Sequence, residues 1–216
     1  MKVVSRISVA ALALATFAAP AAAQLEGLPA YNFAPAAAGV TVSGMYGRGL
    51  NDASGKANSA GGMITYGANM FWVGAGASYF DFSTAKVAGF GGNVGVNLPL
   101  GPDLPVKVGI AAGFGYASKS GVKSMMIPAG VVLALKLPSA GVAVTPWIAP
   151  GMRYLRVDPG TGTWASTTKF GGSGGINFTL PMGVGVDLAI DYTNISGGSP
   201  LVAGIGLHYT FKTGTM

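Results

Sequence analysis

In the stretch PVKVGIAAGFGY, residues 105–116, the positions Val106, Val108, Ile110, Ala112, Phe114 and Tyr116 are apolar, and Lys107, Gly109, Ala111, Gly113 and Gly115 between them are small or polar. A period of two belongs to a strand, whose successive side chains point to opposite faces, so this segment has one greasy face and one lean one. The same rule holds for Val184, Val186, Leu188, Ile190 and Tyr192 against Gly185, Asp187, Ala189 and Asp191, and for Ala203, Ile205, Leu207, Tyr209 and Phe211 against Gly204, Gly206, His208 and Thr210. It holds again for Ile127, Val131, Leu133, Leu135 and Leu137, and for Phe170, Ile176, Phe178 and Leu180. Beyond residue 23 no run of about 18 uninterrupted apolar residues occurs, so the hydrophobicity is not arranged as membrane-spanning helices.

Which way the greasy face points follows from charge. Only 9% of the chain is charged while 50% is hydrophobic, whereas a soluble domain carries roughly 25% charge. A secreted sandwich or lipocalin-like barrel would hide the apolar face and cover itself with charge that this chain lacks. Turn residues divide the alternating runs into ten strands, near 38–48, 61–69, 71–80, 86–98, 104–116, 122–137, 142–155, 168–180, 184–192 and 201–211. One of the turns is expected at Asn69 and Met70. Short breaks such as PLGPD (99–103), PSAG (138–141) and PMG (181–183) alternate with longer ones at 49–60, 81–85, 117–121, 156–167 and 193–200. An even number of such strands, apolar outside, with short turns at one end and longer loops at the other, predicts a closed antiparallel transmembrane β-barrel of about ten strands, with eight as the alternative. Closure is forced, because every backbone N–H and C=O in hydrocarbon needs a partner.

The first residues, MKVVSRISVAALALATFAAPAAAQ, set Lys2 and Arg6 before an apolar stretch from Ile7 to Ala19 and a small-residue site, the pattern of a signal peptide, 1–23, cleaved after Ala23. Residues 24–37 then form an N-terminal segment, 38–211 the barrel and 212–216 a C-terminal tail. The chain has no cysteine, which removes disulfides, Cys-ligated metals and an N-terminal lipid anchor on Cys. Without Lys2 and Arg6, eleven basic residues face seven acids; that excess is mild and shows no nucleic-acid pattern.

On residues 38–211, and on the last strand VAGIGLHYTF, the chain resembles the small outer-membrane β-barrel proteins of Gram-negative bacteria. The resemblance implies an integral outer-membrane location, insertion by the barrel machinery through that final strand, periplasmic termini with N-terminal segment 24–37 on the same side, and longer loops facing outward. Aromatic girdles are then expected from Tyr46, Tyr79, Phe80, Tyr116, Tyr154, Phe170 and Tyr192 at the outer rim, and from Phe71, Trp72, Phe178, Tyr209 and Phe211 at the inner one. The partners implied are outer-membrane lipid and lipopolysaccharide, whose phosphates Arg153, Arg156 and Lys169 at the outer rim are placed to meet.

Chemistry finds few candidates. Asp187 and Asp191 lie four residues apart, roughly 13 Å along a strand, too far for a carboxylate pair that works at roughly 5 to 9.5 Å. They are expected to join Lys107, Lys136, Arg153 and Lys169 in a structural charge network in the lumen. His208, the sole histidine, shares the inward face with Thr210, a spacing comparable with the His-x-Ser of lipid A deacylases, and is read as a plain interior histidine. No metal cluster, Ser-His-Asp triad or cofactor motif is assembled, and the glycine-rich GFGGNVG (89–95) and GGSGG (171–175) lie within strands rather than before a helix. Inward glycines remove bulk, and with few large inward side chains some water is expected inside. The function expected is therefore a non-catalytic outer-membrane barrel with a structural or surface-interaction role, the alternative being a narrow passive pore and a third possibility a lipid-modifying enzyme. The number of copies in the working assembly is left open.

Overall fold

In a computed structural model the described residues are 38–68, 70–82, 85–100, 104–137, 141–195 and 198–212. The signal peptide and segment expected at 1–37, the turn residue Asn69 and all but the first residue of the 212–216 tail lie outside them. The chain forms ten strands: β1 (Gly39–Gly49), β2 (Asn58–Gly67), β3 (Phe71–Phe82), β4 (Ala85–Asn97), β5 (Val106–Lys119), β6 (Val122–Leu135), β7 (Ala143–Asp158), β8 (Ala165–Thr179), β9 (Val184–Thr193) and β10 (Leu201–Phe211). Each pairs antiparallel with its neighbour in sequence, and β1 pairs with β10 from Val40 opposite Phe211 to Gly49 opposite Val202, which closes the barrel. Ten is the number of strands, not eight.

The two faces separate as the period of two requires. Val184, Leu188, Ile190 and Tyr192 of β9 point outward, with Ile190 56% exposed, while Asp187 and Asp191 between them are 6% and 1% exposed. Ile205, Leu207, Tyr209 and Phe211 of β10 and Ile110 and Phe114 of β5 do the same. A continuous outward apolar belt is costly in water and stable in hydrocarbon, which is the physical demand of a lipid-facing barrel wall.

The connections depart from the expected alternation of short and long. The break at 117–121 is a two-residue turn: β5 runs to Lys119, β6 starts at Val122, and Ser120 and Gly121 both hold positive φ, 49° and 85°, the backbone of a tight hairpin whose twist suits its strands. The break after β4 is longer than PLGPD alone, since β5 starts only at Val106. Loop chemistry links distant parts of the rim away from the termini. Asn51 caps a 3-10 turn (Asp52–Ser54), and the same side chain donates to the Ser199 carbonyl at 2.8 Å and accepts from the Leu201 N–H at 3.3 Å, so the first and last loops of that rim are tied together.

Candidate functional site in the barrel interior

The inward faces carry several large side chains, which corrects the expectation of few of them. Met45, Met63, Trp72, Ala111, Val132, Ala134, Trp147, Ala149 and Ala189 form one buried cluster, with Trp72 1% and Trp147 3% exposed. Phe80 packs with Val87 and Ala117, and Met126 with Leu155 and Ile195. Trp72 and Phe80 therefore leave the girdles they were assigned to. On β3 the inward positions are 72, 74, 76, 78 and 80, so Phe71 and Tyr79 face outward and their neighbours in sequence face in.

Glycines on adjacent strands make the room. A Cβ at Gly95 would fall against the Trp72 ring, and one at Gly109 would stand 3.2 Å from it. A Cβ at Gly74 would meet the Met63 methyl at 2.7 Å, one at Gly171 would meet Arg153 Nε at 2.7 Å, and one at Gly185 would meet the His208 ring. These lumen glycines thus lie against bulky side chains from neighbouring strands, a close-approach role.

Two polar clusters sit within this packing. Arg153 of β7, 2% exposed, makes a bidentate pair with Asp191 of β9, Nη1 to Oδ2 at 2.6 Å and Nη2 to Oδ1 at 2.7 Å. Arg153 also donates to Thr193 Oγ1 and Ser173 Oγ, and the Ser173 hydroxyl donates to Asp191. Planar, two-pronged recognition of this kind holds a guanidinium against a carboxylate with charge and geometry together. The second cluster is Asp187, His208 and Thr179: His208 Nδ1 stands 2.8 Å from Asp187 Oδ2, and its Nε2 stands 3.2 Å from Thr179 Oγ1. Beside it, the Trp147 indole N–H donates to Asn177 Oδ1 at 2.8 Å.

The single charge network expected for Asp187, Asp191, Lys107, Lys136, Arg153 and Lys169 is thus two separate pairs. Arg153 takes Asp191, and the histidine, not a lysine, takes Asp187. Among the described residues Lys107, Lys136 and Lys169 make no ion pair. Lys107 and Lys136 are exposed at the terminal rim of the lumen, and Lys169 stands half-buried opposite Arg153 in register. The strand rise that separated Asp187 from Asp191 also delivers them to different partners.

The expected lipopolysaccharide contacts change for the same reason. Arg153 is enclosed in the interior, and Lys169 shares its inward face, so neither presents a cation to the outer surface. Arg156, three residues on, faces outward and lies over the Trp164 ring at 4.8 Å. Asp158 Oδ1 accepts three loop N–H groups, from Gly160, Thr161 and Gly162, each at 3.0 Å.

Carboxylate, imidazole and hydroxyl in series is an order used for nucleophilic catalysis, and Asp187, His208 and Thr179 stand in it. Thr210, the residue sharing a face with His208 in sequence, instead meets Thr41, hydroxyl to hydroxyl at 2.9 Å. Among the described residues no group of three or more His, Asp or Glu is gathered for a metal. Ser173, Thr179, Asn177 and Thr193 were missed in the sequence. The signal for them was their place on inward positions, but only strand register sets Ser173 opposite Asp191 and Asn177 opposite Asp187.

No family model matches the chain, and no curated protein matches it in sequence. Solved structures do. The β domain of the Bordetella autotransporter BrkA is 12% identical, with a TM-score of 0.54 over 81% of this chain and 100% of that one. LpxR from Salmonella typhimurium is 10% identical, with a TM-score of 0.45 over 81% and 100%. The N-terminal β-barrel domain of Pseudomonas aeruginosa OprF is 11% identical, with a TM-score of 0.38 over 80% and 96%. What this chain shares with the BrkA domain is the fold, a closed β-barrel.

Proposed function

We propose that the chain is an integral outer-membrane β-barrel whose lumen is filled by its own side chains, and that its role is structural or one of surface interaction, without catalysis. The observation that carries this reading is the pairing of an exposed apolar outer wall with a packed interior: Ile190 is 56% exposed, while Trp72, Val132, Arg153 and Asp191 are all at 2% or below. A barrel of ten strands is far narrower than the 16–18-stranded porins that keep an aqueous channel, and these side chains use the space that remains. The N-terminal pattern at 1–23 and the final strand fit export and insertion by the barrel machinery.

Single-channel recording in planar bilayers tests the reading. A filled lumen gives no steady openings above the bare bilayer; stable conductance steps would replace the proposal with a passive pore. A second reading is favoured by one observation, the serial contact of Asp187, His208 and Thr179, which suits an acyl hydrolase. In that case expression of the chain alters membrane lipid acylation by mass spectrometry, and Thr179→Val abolishes the change. The non-catalytic reading expects identical lipid profiles with and without the chain.

A further inference from the structure

Two of the outward cations stand together on the face of β6 and β7. Lys123 of β6 lies opposite Asp158 of β7, and Met125 lies opposite Arg156, so Lys123 and Arg156 are diagonal neighbours on adjacent strands of the same face. Such diagonal positions stand about 7 to 8 Å apart, a spacing at which two long cationic side chains flank one phosphate. Arg156 is held by its stacking on Trp164, 4.8 Å from guanidinium carbon to ring centre, so part of its ordering cost is met before any ligand arrives.

The acid nearest in register is engaged by its own loop. Asp158 turns Oδ1 to the three N–H groups of its own loop and is 3% exposed. Among the described residues neither Lys123 nor Arg156 makes an ion pair. Ser166, opposite Arg156, and Thr168, opposite Tyr154, are exposed on the same face and add hydroxyls. Toward the middle of the wall the face turns apolar, with Ile127, Met152 and Phe170 at 39%, 49% and 55% exposure. Cations and hydroxyls at a rim above an apolar wall fit an amphiphile, charged at its head and greasy below.

We propose that the outward face of β6, β7 and β8 binds the phosphate of a phosphorylated glycolipid, with Lys123 and Arg156 as the phosphate's cations, Trp164 holding Arg156 in place, and the acyl chains on Ile127, Met152 and Phe170. This rests on the reading above, in which the rim away from the termini faces the outer leaflet. The shared chemistry of a lipid headgroup and free phosphate is the phosphoryl oxygen, and the apolar wall below favours the lipid.

The test uses the full-length barrel refolded in detergent and native mass spectrometry with three probes: bis-phosphorylated lipid A, lipid A stripped of both phosphates, and inorganic phosphate. The wild type retains the phosphorylated lipid, and Lys123→Gln/Arg156→Gln weakens retention at least about tenfold, as expected for the loss of two charge-assisted contacts. Lys107→Gln/Lys136→Gln at the opposite rim leaves retention unchanged. Trp164→Leu, which keeps both charges, lowers retention severalfold and serves if the double variant fails to fold, as judged by heat-dependent mobility on gels. Equal retention of the dephosphorylated lipid, equal retention by the double variant, or complete displacement by millimolar inorganic phosphate would each overturn the proposal. Binding to the purified barrel does not depend on cellular location, so labelling of a Gly162→Cys variant from outside intact cells separates failure of the membrane reading from failure of the lipid site.

Discussion

Replacing Asp191 by Asn leaves the shape of the interior almost unchanged and removes one charge from a pair that water does not reach. The Asp191 side chain is 0% exposed and that of Arg153 3%. The carboxylate takes both guanidinium prongs, at 2.6 and 2.7 Å. An amide offers one acceptor where the carboxylate offered two, and it leaves Arg153 charged among Thr193 and Ser173, which have only neutral hydroxyls to give. Breaking a buried pair by removing one partner costs about 3 to 5 kcal/mol, roughly two to three and a half decades in the folding equilibrium. Removing both charges with apolar groups of similar volume, Arg153→Met with Asp191→Leu, is expected to return stability to within about 1 kcal/mol of the wild type or above it, because both desolvation costs go together. Equilibrium urea unfolding in phospholipid vesicles, followed by tryptophan fluorescence, measures all members of the cycle. A cost below about 1 kcal/mol for Asp191→Asn, or a double variant as unstable as the sum of its singles, would show that the pair is hydrated or open and refute the reasoning.

Gly95→Val sets a branched side chain where the Trp72 ring lies; overpacking of this kind is expected to cost about 1 to 3 kcal/mol, and the pair Gly95→Val/Trp72→Ala is expected to recover part of it in the same unfolding assay. Ile190→Lys puts a cation on the lipid-facing wall and is expected to cost about 2 to 4 kcal/mol near the bilayer midplane, measured by folding into vesicles; a cost near zero would argue that this face meets water. Asn51→Ala loses the cap on the 3-10 turn and the bonds to Ser199 and Leu201; the expected loss is about 0.5 to 2 kcal/mol, with faster hydrogen exchange at the Leu201 amide and little change at the strands of the barrel wall.

The strands and their outward faces were legible because lipid asks one thing of every strand, and the demand repeats every second residue. Val184, Leu188, Ile190 and Tyr192 could not alternate with Gly185, Asp187, Ala189 and Asp191 for any other period. The interior was less legible. On β3 Phe71 and Trp72 are adjacent and both large, as are Tyr79 and Phe80, so the side chains that face in could be chosen only from the small residues 74, 76 and 78 between them. Contacts across the lumen depend on register and shear, which no single strand carries. Gly95 under Trp72 reads in sequence as missing bulk, although in the barrel it is what admits the bulk of its neighbour. In the same way Asp187 looked for a lysine, because charge can be counted along the chain, while the pairing of β9 with β10 brings it the one histidine.

Because the chain lacks cysteine, a single cysteine placed at each position from 184 to 193 carries a spin label to one known site. Collision rates with oxygen, which dissolves in hydrocarbon, and with a water-soluble nickel chelate then report the surroundings of each residue of β9 in a bilayer. The expected result is high oxygen and low nickel access at 184, 186, 188, 190 and 192, and low access to both at 185, 187, 189 and 191. Nickel access at the odd positions would contradict a filled lumen, and nickel access at 188 and 190 would contradict the lipid-facing wall itself.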